Sequence, residues 1–374
     1  MQKDLSWLGG QFVIEGEFVS AVPYGTGHIN DTFAASYEVR GEGRRRFIHQ
    51  RINHEVFKDP ASLMDNVARV TRHIRAKLEA CGAEDIDRRV LTLVPTRDGA
   101  DYLVDDEGEY WRTYVFIEQA TTYDVVEAPA QAREVARAFG EFQRQLTDLA
   151  PPSLVETIPD FHTTTLRLDA FRRAVEADAA GRAVGVAGEI RRLESFAPLA
   201  DGLLALVRQG LVPLRVAHND TKINNVMIDE ETGEGVCVID LDTVMPGLAL
   251  DDFGDLVRTS VCFAKEDDRD LSKVEVELPL FEGLAHGYVG AVGDLLTDAE
   301  VDGLVLAGKL MTYECALRFL TDHLEGDTYF RVHHEGHNLD RARVQLALLD
   351  SITAHEEEME TIVAAAVAEG GPRG

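Results

Sequence analysis

The sequence predicts an α+β protein with a strand-rich N-terminal part and a helical C-terminal part. Residues 33–39 and 45–52 alternate between apolar and polar, which is typical of strands, and further strand-like runs follow up to residue 118. From residue 121 onward, apolar residues recur at intervals of three and four, which is typical of amphipathic helices. A chain of 374 residues, of which 45% are hydrophobic, is long enough for two domains.

The composition excludes several classes of protein. The formal net charge is −29, and the acidic residues are spread along the chain, which argues against nucleic-acid binding. The four cysteines are far apart and lack the spacing of a metal site, which favours a reduced, cytoplasmic protein. The sequence has neither a signal-peptide apolar region nor a run of about 18 apolar residues, so no membrane association is predicted.

The first part of the chain alternates strands with one long helix. The predicted elements are, in order, a short helix or strand at 1–22, strands at 33–39 and 45–52, a helix at 60–80, and strands at 91–95, 102–104 and 111–118. Gly25, Gly27 and His28 lie in a loop between strand-like runs. The glycines would let backbone N–H groups approach phosphates, although an ordinary hairpin turn is the alternative.

The second part of the chain is mainly helical. The predicted helices lie at 129–149, 187–209 and 304–324, and another begins near Asp255. His333, His334 and His337 are close together in sequence. A solvated loop explains them better than a zinc site, which would need further ligands.

A polar stretch in the middle of the chain contains groups suited to phosphoryl transfer. Asp220 and Asn225 precede a predicted hairpin, and Asp240 follows it, so the hairpin would bring all three to one edge. One carboxylate could accept or orient a hydroxyl proton, while the Asn and the second carboxylate hold Mg²⁺. The alternative is a polar loop with capping residues, but chance rarely supplies all three groups at workable spacing.

A second candidate for the metal carboxylate lies downstream. Asp252-Phe-Gly254 is the tripeptide that holds metal in protein kinases, but a Pro-Gly turn separates it from the polar stretch. We therefore assign the metal to Asp240. Asp252 is expected to cap the next helix and to accept N–H bonds from the catalytic loop, and His218 is expected to order that loop.

These residues resemble a known group of enzymes. His218-x-Asp220 with Asn225 and Ile239-Asp240 resembles the aminoglycoside phosphotransferase and choline kinase superfamily. A stronger resemblance, to the bacterial N-acetylhexosamine 1-kinases, lies at residues 216–225, 239–247, 252–255, 311–320 and 324–330. The resemblance extends from about Pro23 to Gln345.

The resemblance implies a bilobal protein-kinase-like fold. A small β-rich N-lobe at 1–119 would bind the nucleotide, and a larger helical C-lobe at 120–374 would hold the catalytic loop and the sugar. The implied site residues are Gly25, Gly27, His28 and the backbone of Phe116, Ile117 and Glu118 for the nucleotide, and Asp255, Arg318 and Tyr329 for the sugar. The alternatives are a plain core strand at 116–118 and an Arg318 that pairs with a nearby acid such as Glu314.

The expected activity is an ATP- and Mg²⁺-dependent transfer to the 1-hydroxyl of N-acetylglucosamine or N-acetylgalactosamine. The alternatives are a kinase for an aminoglycoside, choline, homoserine or methylthioribose, or a non-catalytic nucleotide- or sugar-binding protein. The last alternative arises because the kinase pattern expects a phosphate-pairing lysine where Gln50, beside Arg51, lies. The sequence leaves open which group replaces that lysine, which sugar epimer is preferred, and the oligomeric state.

Overall fold

The structure is a computed structural model that describes residues 5–25 and 29–370. The chain divides into two compact units, and each contains its own hydrophobic core. The first unit comprises Met1–Ala120, Asp148–Ile158 and Val236–Met245, and the second comprises Thr121–Thr147, Pro159–Gly235 and Pro246–Gly374.

The first unit contains an antiparallel sheet with the strand order β1-β2-β3-β5-β4. Its strands are β1 (Glu17–Pro23), β2 (Asp31–Val39), β3 (Gly43–Ile52), β4 (Leu103–Val104) and β5 (Tyr110–Val115). Gln50 of β3 lies opposite Thr32 of β2 and opposite Arg112 of β5. Because directly opposed residues project from the same face of a sheet, these three side chains are neighbours.

The helices of the first unit are α1 (Leu8–Gln11), α2 (Pro60–Ala80) and α3 (Ile86–Arg89). Helix α2 has the bounds that its apolar periodicity predicts. Asp59 caps it by accepting a hydrogen bond from the N–H of Ser62, and Pro60 occupies the first turn, where its missing N–H costs nothing.

The strand predicted at 91–95 is wrong. Only an isolated bridge between Leu93 and Tyr114 forms there. Val94 donates to the carbonyl of Thr113, but Pro95 has no N–H with which to continue the ladder. Strand β5 also ends at Val115, before the predicted end at residue 118.

The second unit is helical. Its helices are α4 (Pro129–Leu146), α5 (Thr164–Ala177), α6 (Ala187–Ser195), α7 (Gly202–Arg208), α8 (Ala249–Ser260), α9 (Leu278–Val292), α10 (Asp298–Asp302), α11 (Leu304–Glu325), α12 (His337–Ala354) and α13 (Glu356–Glu369). Helix α11 is buried along most of its length and packs against α5, α8 and α12. No helix within residues 5–25 and 29–370 is both long enough and apolar enough to cross a membrane.

The helix predicted at 187–209 is interrupted. A 3₁₀ turn at Ala197–Asp201 separates α6 from α7. Pro198 lies in this turn, where it lacks the N–H that an α-helix would need and its ring would clash with the preceding turn. Helix α8 begins at Ala249, upstream of the predicted start near Asp255.

Short strands connect these helices to the polar stretch. They are β6 (Ala120–Thr121), β7 (Arg215–Ala217), β8 (Val226–Asp229), β9 (Gly235–Val238) and β10 (Met245–Gly247). The N–H of Asp229 donates to the carbonyl of Glu234, which closes the turn between β8 and β9. The two strands and the turn of the predicted hairpin are therefore present.

Candidate functional site

The loop that contains Asp220 follows β7 and is held by the first turn of α8. The carboxylate of Asp252 accepts the backbone N–H groups of His218 and Asn219, at 3.0 and 2.7 Å. Gln143 of α4 donates to the same carboxylate at 2.6 Å. Asp252 is not the cap of α8, since that helix begins after Leu248 and has no side-chain cap. The expected cap is therefore corrected to a contact within the first turn.

Asn219, immediately before Asp220, has a left-handed backbone with φ of 64°. Hydrogen bonds hold this residue in place: its N–H donates to Asp252, its carbonyl accepts from Nε2 of His162 at 2.9 Å, and its side chain donates to the carbonyl of Ala217. Asn tolerates this conformation better than most residues. These bonds fix the direction in which the chain enters Asp220.

Asp220 lies beside a cation and an amide. Nζ of Lys222 is 2.9 Å from its Oδ2, and Nδ2 of Asn225 donates to its carbonyl and to Oδ2, at 2.8 and 3.2 Å. Burial alone would raise the pKa of Asp220, but the charge and hydrogen bond of Lys222 lower it overall. The side chain is 27% exposed, so an ionised carboxylate is accessible to a small molecule.

A buried cluster of charges lies next to this loop. His162 contacts Glu314 through Nδ1 at 2.9 Å while its Nε2 bonds Asn219, and Thr164 donates to the other oxygen of Glu314 at 2.6 Å. Burial alone would lower the pKa of His162, but Glu314 raises it to about 9. His162 is therefore an imidazolium at neutral pH. Burial raises the pKa of the neighbouring Asp251 to about 7, and the nearby charges of Glu314 and Asp252 add to that rise.

The residues predicted to bind a sugar lie in the second unit. Asp255 of α8 accepts from Nε of Arg258 at 2.8 Å and forms an ion pair with Nη2 at 2.7 Å. The guanidinium of Arg318 lies 5.6 Å, 6.0 Å and 5.4 Å from the ring centroids of Phe161, Tyr329 and Phe330. Tyr329 is 67% exposed, so a ligand can reach it.

The turn that contains Tyr329 is organised by one buried carboxylate. Asp322 accepts the backbone N–H groups of Thr328, Tyr329 and Phe330, at 2.7 to 2.9 Å, and the amide of Asn338 at 2.8 Å. Only 2% of Asp322 is exposed. The position of Tyr329 therefore depends on a carboxylate that is saturated with hydrogen bonds.

The first unit contains Asp240 in a left-handed conformation, with φ of 58°, and Asp242 two residues later. The side chain of Asp242 contacts Arg112 through Oδ1 and accepts from Asn30 through Oδ2, at 2.5 and 2.6 Å. Gln50, where the kinase pattern expects lysine, accepts from Arg112.

The predicted nucleotide residues are only partly described. Gly25 has φ of 82°, a conformation that favours glycine, whereas Gly27 and His28 lie outside the described residues. Phe116 and Ile117 are buried. The carbonyl of Glu118 accepts from Arg88, and its carboxylate pairs with Arg46.

The expected magnesium ligands fit that ion chemically. Asp240 offers carboxylate oxygens, and Asn225 donates through its nitrogen to Asp220, which leaves its oxygen as the atom able to bind a cation. Oxygen atoms are the ligands that Mg²⁺ prefers. Asn225 belongs to the second unit and Asp240 to the first.

A second group of possible metal ligands is explained by hydrogen bonds. The ligand atoms of Asp267, His334 and His337 lie within 4.8 Å of one another. Nδ1 of His337 accepts the N–H of His333, so its proton lies on Nε2, 3.1 Å from Asp267, and neither ring nitrogen keeps a lone pair for a metal. His337 is 1% exposed, which corrects the expectation of a solvated loop at this residue.

The sequence reasoning missed several residues of these clusters. Lys222 had a local signal, since it is the basic residue two positions after Asp220. Arg258 also had one, because it lies one helical turn after Asp255. His162, Asp322 and Arg112 had none, since their partners become apparent only in the folded chain.

Comparison with known proteins identifies the family and the fold. The family model described as the phosphotransferase enzyme family matches residues 20–285. The chain is similar in structure to an amicoumacin kinase in complex with AMP-PNP, Ca²⁺ and Ami, at 13% identity, with 92% of each chain covered and a TM-score of 0.57. It is also similar to choline kinase from Cryptosporidium parvum, at 14% identity, with 93% of each chain covered and a TM-score of 0.56.

A third similar structure is a microcompartment-associated aminopropanol kinase, at 14% identity, with 94% of this chain and 96% of that chain covered and a TM-score of 0.55. These likenesses confirm the predicted α+β, protein-kinase-like fold, with a sheet in the N-terminal region and helices in the C-terminal region. The family model covers well over half of the sequence. The chain therefore belongs to the phosphotransferase enzyme family.

Proposed function

We propose that the chain is an ATP- and Mg²⁺-dependent kinase that phosphorylates the anomeric hydroxyl of an N-acetylhexosamine, either N-acetylglucosamine or N-acetylgalactosamine. The observation that carries the phosphotransfer is Asp220, an accessible carboxylate with a lowered pKa beside Lys222. Such a group can accept a hydrogen bond from an attacking hydroxyl at neutral pH.

In the proposed step, the anomeric oxygen attacks the γ-phosphorus of ATP, and the bond from that phosphorus to the β–γ bridging oxygen breaks. The hydroxyl proton passes to Asp220, and ADP leaves. Positioning and charge neutralisation supply most of the catalysis in such transfers. Lys222 adds positive charge beside Asp220.

Asn225 and Asp240 would hold Mg²⁺, which neutralises phosphate charge when bound. We assign nucleotide binding to residues 1–119, through Gly25, Gly27, His28 and the backbone of Phe116 to Glu118, and acceptor binding to residues 120–374. His218 and Asp252 support the catalytic loop. All four cysteines are unpaired, which fits a reducing cytoplasm as the compartment of the reaction.

The surroundings of Arg318 support a neutral, hydroxyl-rich acceptor. A cationic acceptor such as choline would use aromatic ring faces to bind its own charge. The rings of Phe161, Tyr329 and Phe330 already face the guanidinium of Arg318. Arg318 and the carboxylate of Asp255 can instead make directed hydrogen bonds to an acetamido carbonyl and to sugar hydroxyls.

A kinase for another alcohol is the second candidate. The net charge of −29 favours one version of it, a kinase for a cationic acceptor. A strongly acidic protein attracts cationic small molecules, among them the aminoglycosides. Choline, homoserine and methylthioribose kinases would share the same chemistry at Asp220.

An acceptor panel tests the proposal. ADP release would be measured with ATP and Mg²⁺ against both N-acetylhexosamines, their unacetylated forms, an aminoglycoside, choline, homoserine and methylthioribose. We expect the highest kcat/KM with an N-acetylhexosamine, and ³¹P NMR should detect an anomeric phosphate. Preference for any other acceptor would replace the proposed substrate, and the absence of acceptor-dependent ADP release would exclude a kinase.

A further inference from the structure

Arg112 of β5 is a buried cation, with 1% of its surface exposed. Its Nη1 lies 2.5 Å from Oδ1 of Asp242, and its Nε and Nη2 donate to Oε1 of Gln50, at 2.8 and 2.6 Å. Burial alone would lower the pKa of Arg112, but Asp242 and, more weakly, Asp240 raise it overall. The side chain is therefore charged, and its contacts with Asp242 and Gln50 fix its orientation.

Asp242 connects this cation to the turn that contains Asp240. Its side chain is 3% exposed, and besides Arg112 it binds the amide of Asn30 at 2.6 Å. Its carbonyl accepts from Oγ1 of Thr157 at 2.9 Å. Because Asp240 precedes Asp242 by only two residues and has a left-handed backbone, movement of Asp242 would change the direction of the Asp240 carboxylate.

Helix α2 also contacts this segment, and the side chains that make the contacts are not acidic. Nδ2 of Asn66 donates to the carbonyl of Val244 at 3.1 Å, and Sδ of Met64 lies 3.8 Å from Nη1 of Arg112. In the kinase pattern, a glutamate on the corresponding helix pairs with the lysine. Here, the helix offers an amide to the backbone and a thioether to Arg112.

This arrangement explains why glutamine, and not lysine, suits position 50. Gln50 and Arg112 are directly opposed across β3 and β5, so a lysine at the half-buried position 50 would place a second cation against the buried Arg112. The amide suits the position because its oxygen accepts from Arg112 while its nitrogen donates to Thr32 at 2.9 Å. Arg51 does not fill the role, since it pairs with Asp31 and Glu109.

We infer that Arg112, acting through Asp242, is the positioning residue for the Asp240 carboxylate. In the kinase pattern the cation lies on β3 and its carboxylate partner on the helix. Here the cation lies on β5 and its partner is Asp242, and Arg112 is too deeply buried to contact a phosphate itself. This inference rests on the proposed function, because it treats Asp240 as a ligand of the magnesium that accompanies ATP.

The test measures nucleotide binding, which needs no acceptor. Isothermal titration calorimetry with ADP, with and without Mg²⁺, would compare the wild type with Arg112→Met, Arg112→Lys and Asp242→Asn. Mg²⁺ increases the affinity of the wild type for ADP by some factor, and we expect this factor to be at least about tenfold smaller in each variant. The Mg²⁺ concentration for half-maximal rate should rise by a similar factor. ADP affinity without Mg²⁺ should change little.

Two further variants keep the test decisive if Arg112→Met does not fold. The double variant Arg112→Met/Asp242→Leu removes both charges, so no unpaired charge stays buried, and it should still lack the Mg²⁺-dependent gain. Arg51→Met removes a cation of the neighbouring strand β3 and should stay within about twofold of the wild type.

The outcomes separate this inference from the proposed function. A full Mg²⁺-dependent gain in a folded Arg112→Met or double variant would overturn the role of Arg112 and leave the kinase intact. A loss in Arg51→Met equal to that in Arg112→Lys would overturn it as well. If wild-type ADP affinity does not respond to Mg²⁺ at all, both the inference and the proposed kinase fail.

Discussion

The backbone of Asn219 connects the charged cluster around His162 with Asp220. The imidazolium of His162 binds its carbonyl on one side, and the carboxylate of Asp252 binds its N–H on the other. Both partners are buried, so the two bonds are shielded from water and are stronger than surface bonds would be. The direction of one side chain, that of Asp220, thus depends on residues from α8 and from the segment before α5.

Replacing Asp220 with Asn tests the role of its charge. The amide is similar in size but cannot accept the hydroxyl proton, so kcat should fall by about 10³-fold while the thermal midpoint stays near that of the wild type. Steady-state ADP release and a thermal melt would measure the two effects. Asp302→Asn, at an exposed carboxylate of α10, is the matched control and should keep full activity. Near-normal turnover in Asp220→Asn would show that the assigned role is wrong.

Replacing His162 with Gln should change how stability depends on pH. The pKa of His162 is about 9 in the folded chain and about 6.5 when unfolded, so its contribution is complete below pH 6.5 and is lost as pH rises through 9. Between these values, the stability difference between wild type and His162→Gln should shrink by up to roughly 1.4 kcal/mol per pH unit. Urea unfolding at several pH values measures this difference.

His323 offers a control with the opposite sign. Burial and the charge of Arg182 lower the pKa of His323, so protonation opposes folding as pH falls below its unfolded pKa. His323→Gln should therefore change the pH dependence on the acid side and leave the interval from pH 6.5 to 9 as in the wild type. A pH-independent difference for His162→Gln would mean that His162 is not an imidazolium in the folded chain.

Helix α8 holds Asp252 and Asp255, and its position is set by a close approach to α11. A Cβ built on Gly254 would lie 2.5 Å from the carbonyl oxygen of Ala307, and one built on Gly308 would lie 2.7 Å from Cγ1 of Val257. The glycines therefore let the two backbones approach at a distance that no larger residue permits. The packing of helix α8 as a whole, more than any one of its side chains, therefore positions the carboxylates of Asp252 and Asp255.

Gly254→Ala should force α8 and α11 apart. We expect a loss of about 1–3 kcal/mol in the free energy of unfolding and a fall in kcat, because Asp252 would move with the helix. Gly290→Ala is the matched control: it is an exposed position of α9 where an added Cβ meets nothing within 4 Å. That change should be neutral or stabilise by about 0.5–1 kcal/mol. Equal effects of the two changes would contradict the packing argument.

The sequence predicted elements where local pattern decides structure, and failed where tertiary contacts decide it. The bounds of α2 and α11 follow from apolar stripes, and the turn between β8 and β9 follows from turn-forming residues between two apolar runs. Contacts such as Arg112 with Asp242 join residues far apart in the chain. Periodicity does not show which distant charge will lie opposite another, so the Arg112–Asp242 pair could not be predicted.

At the scale of the whole molecule, the dominant electrostatic feature is an excess of acid. The chain has 66 Asp and Glu against 37 Lys and Arg, and the resulting net charge of −29 produces repulsion within the folded chain. Surface ion pairs act in the other direction, but each contributes about 0–1 kcal/mol. Screening should therefore relieve more repulsion than it removes attraction.

Salt should stabilise this protein at neutral pH. Between about 0.01 and 0.1 M KCl, the Debye length falls from about 30 to about 10 Å, so repulsion between distant carboxylates weakens while contacts within ion pairs are less affected. We expect the thermal midpoint at pH 7.5 to rise by several degrees over this range. The same series at pH 5.5, closer to the pI of about 4.7, is the control and should show a smaller rise, because the net charge is smaller there. A midpoint that falls with salt at pH 7.5 would mean that ion pairs, and not net repulsion, dominate the electrostatic free energy of folding.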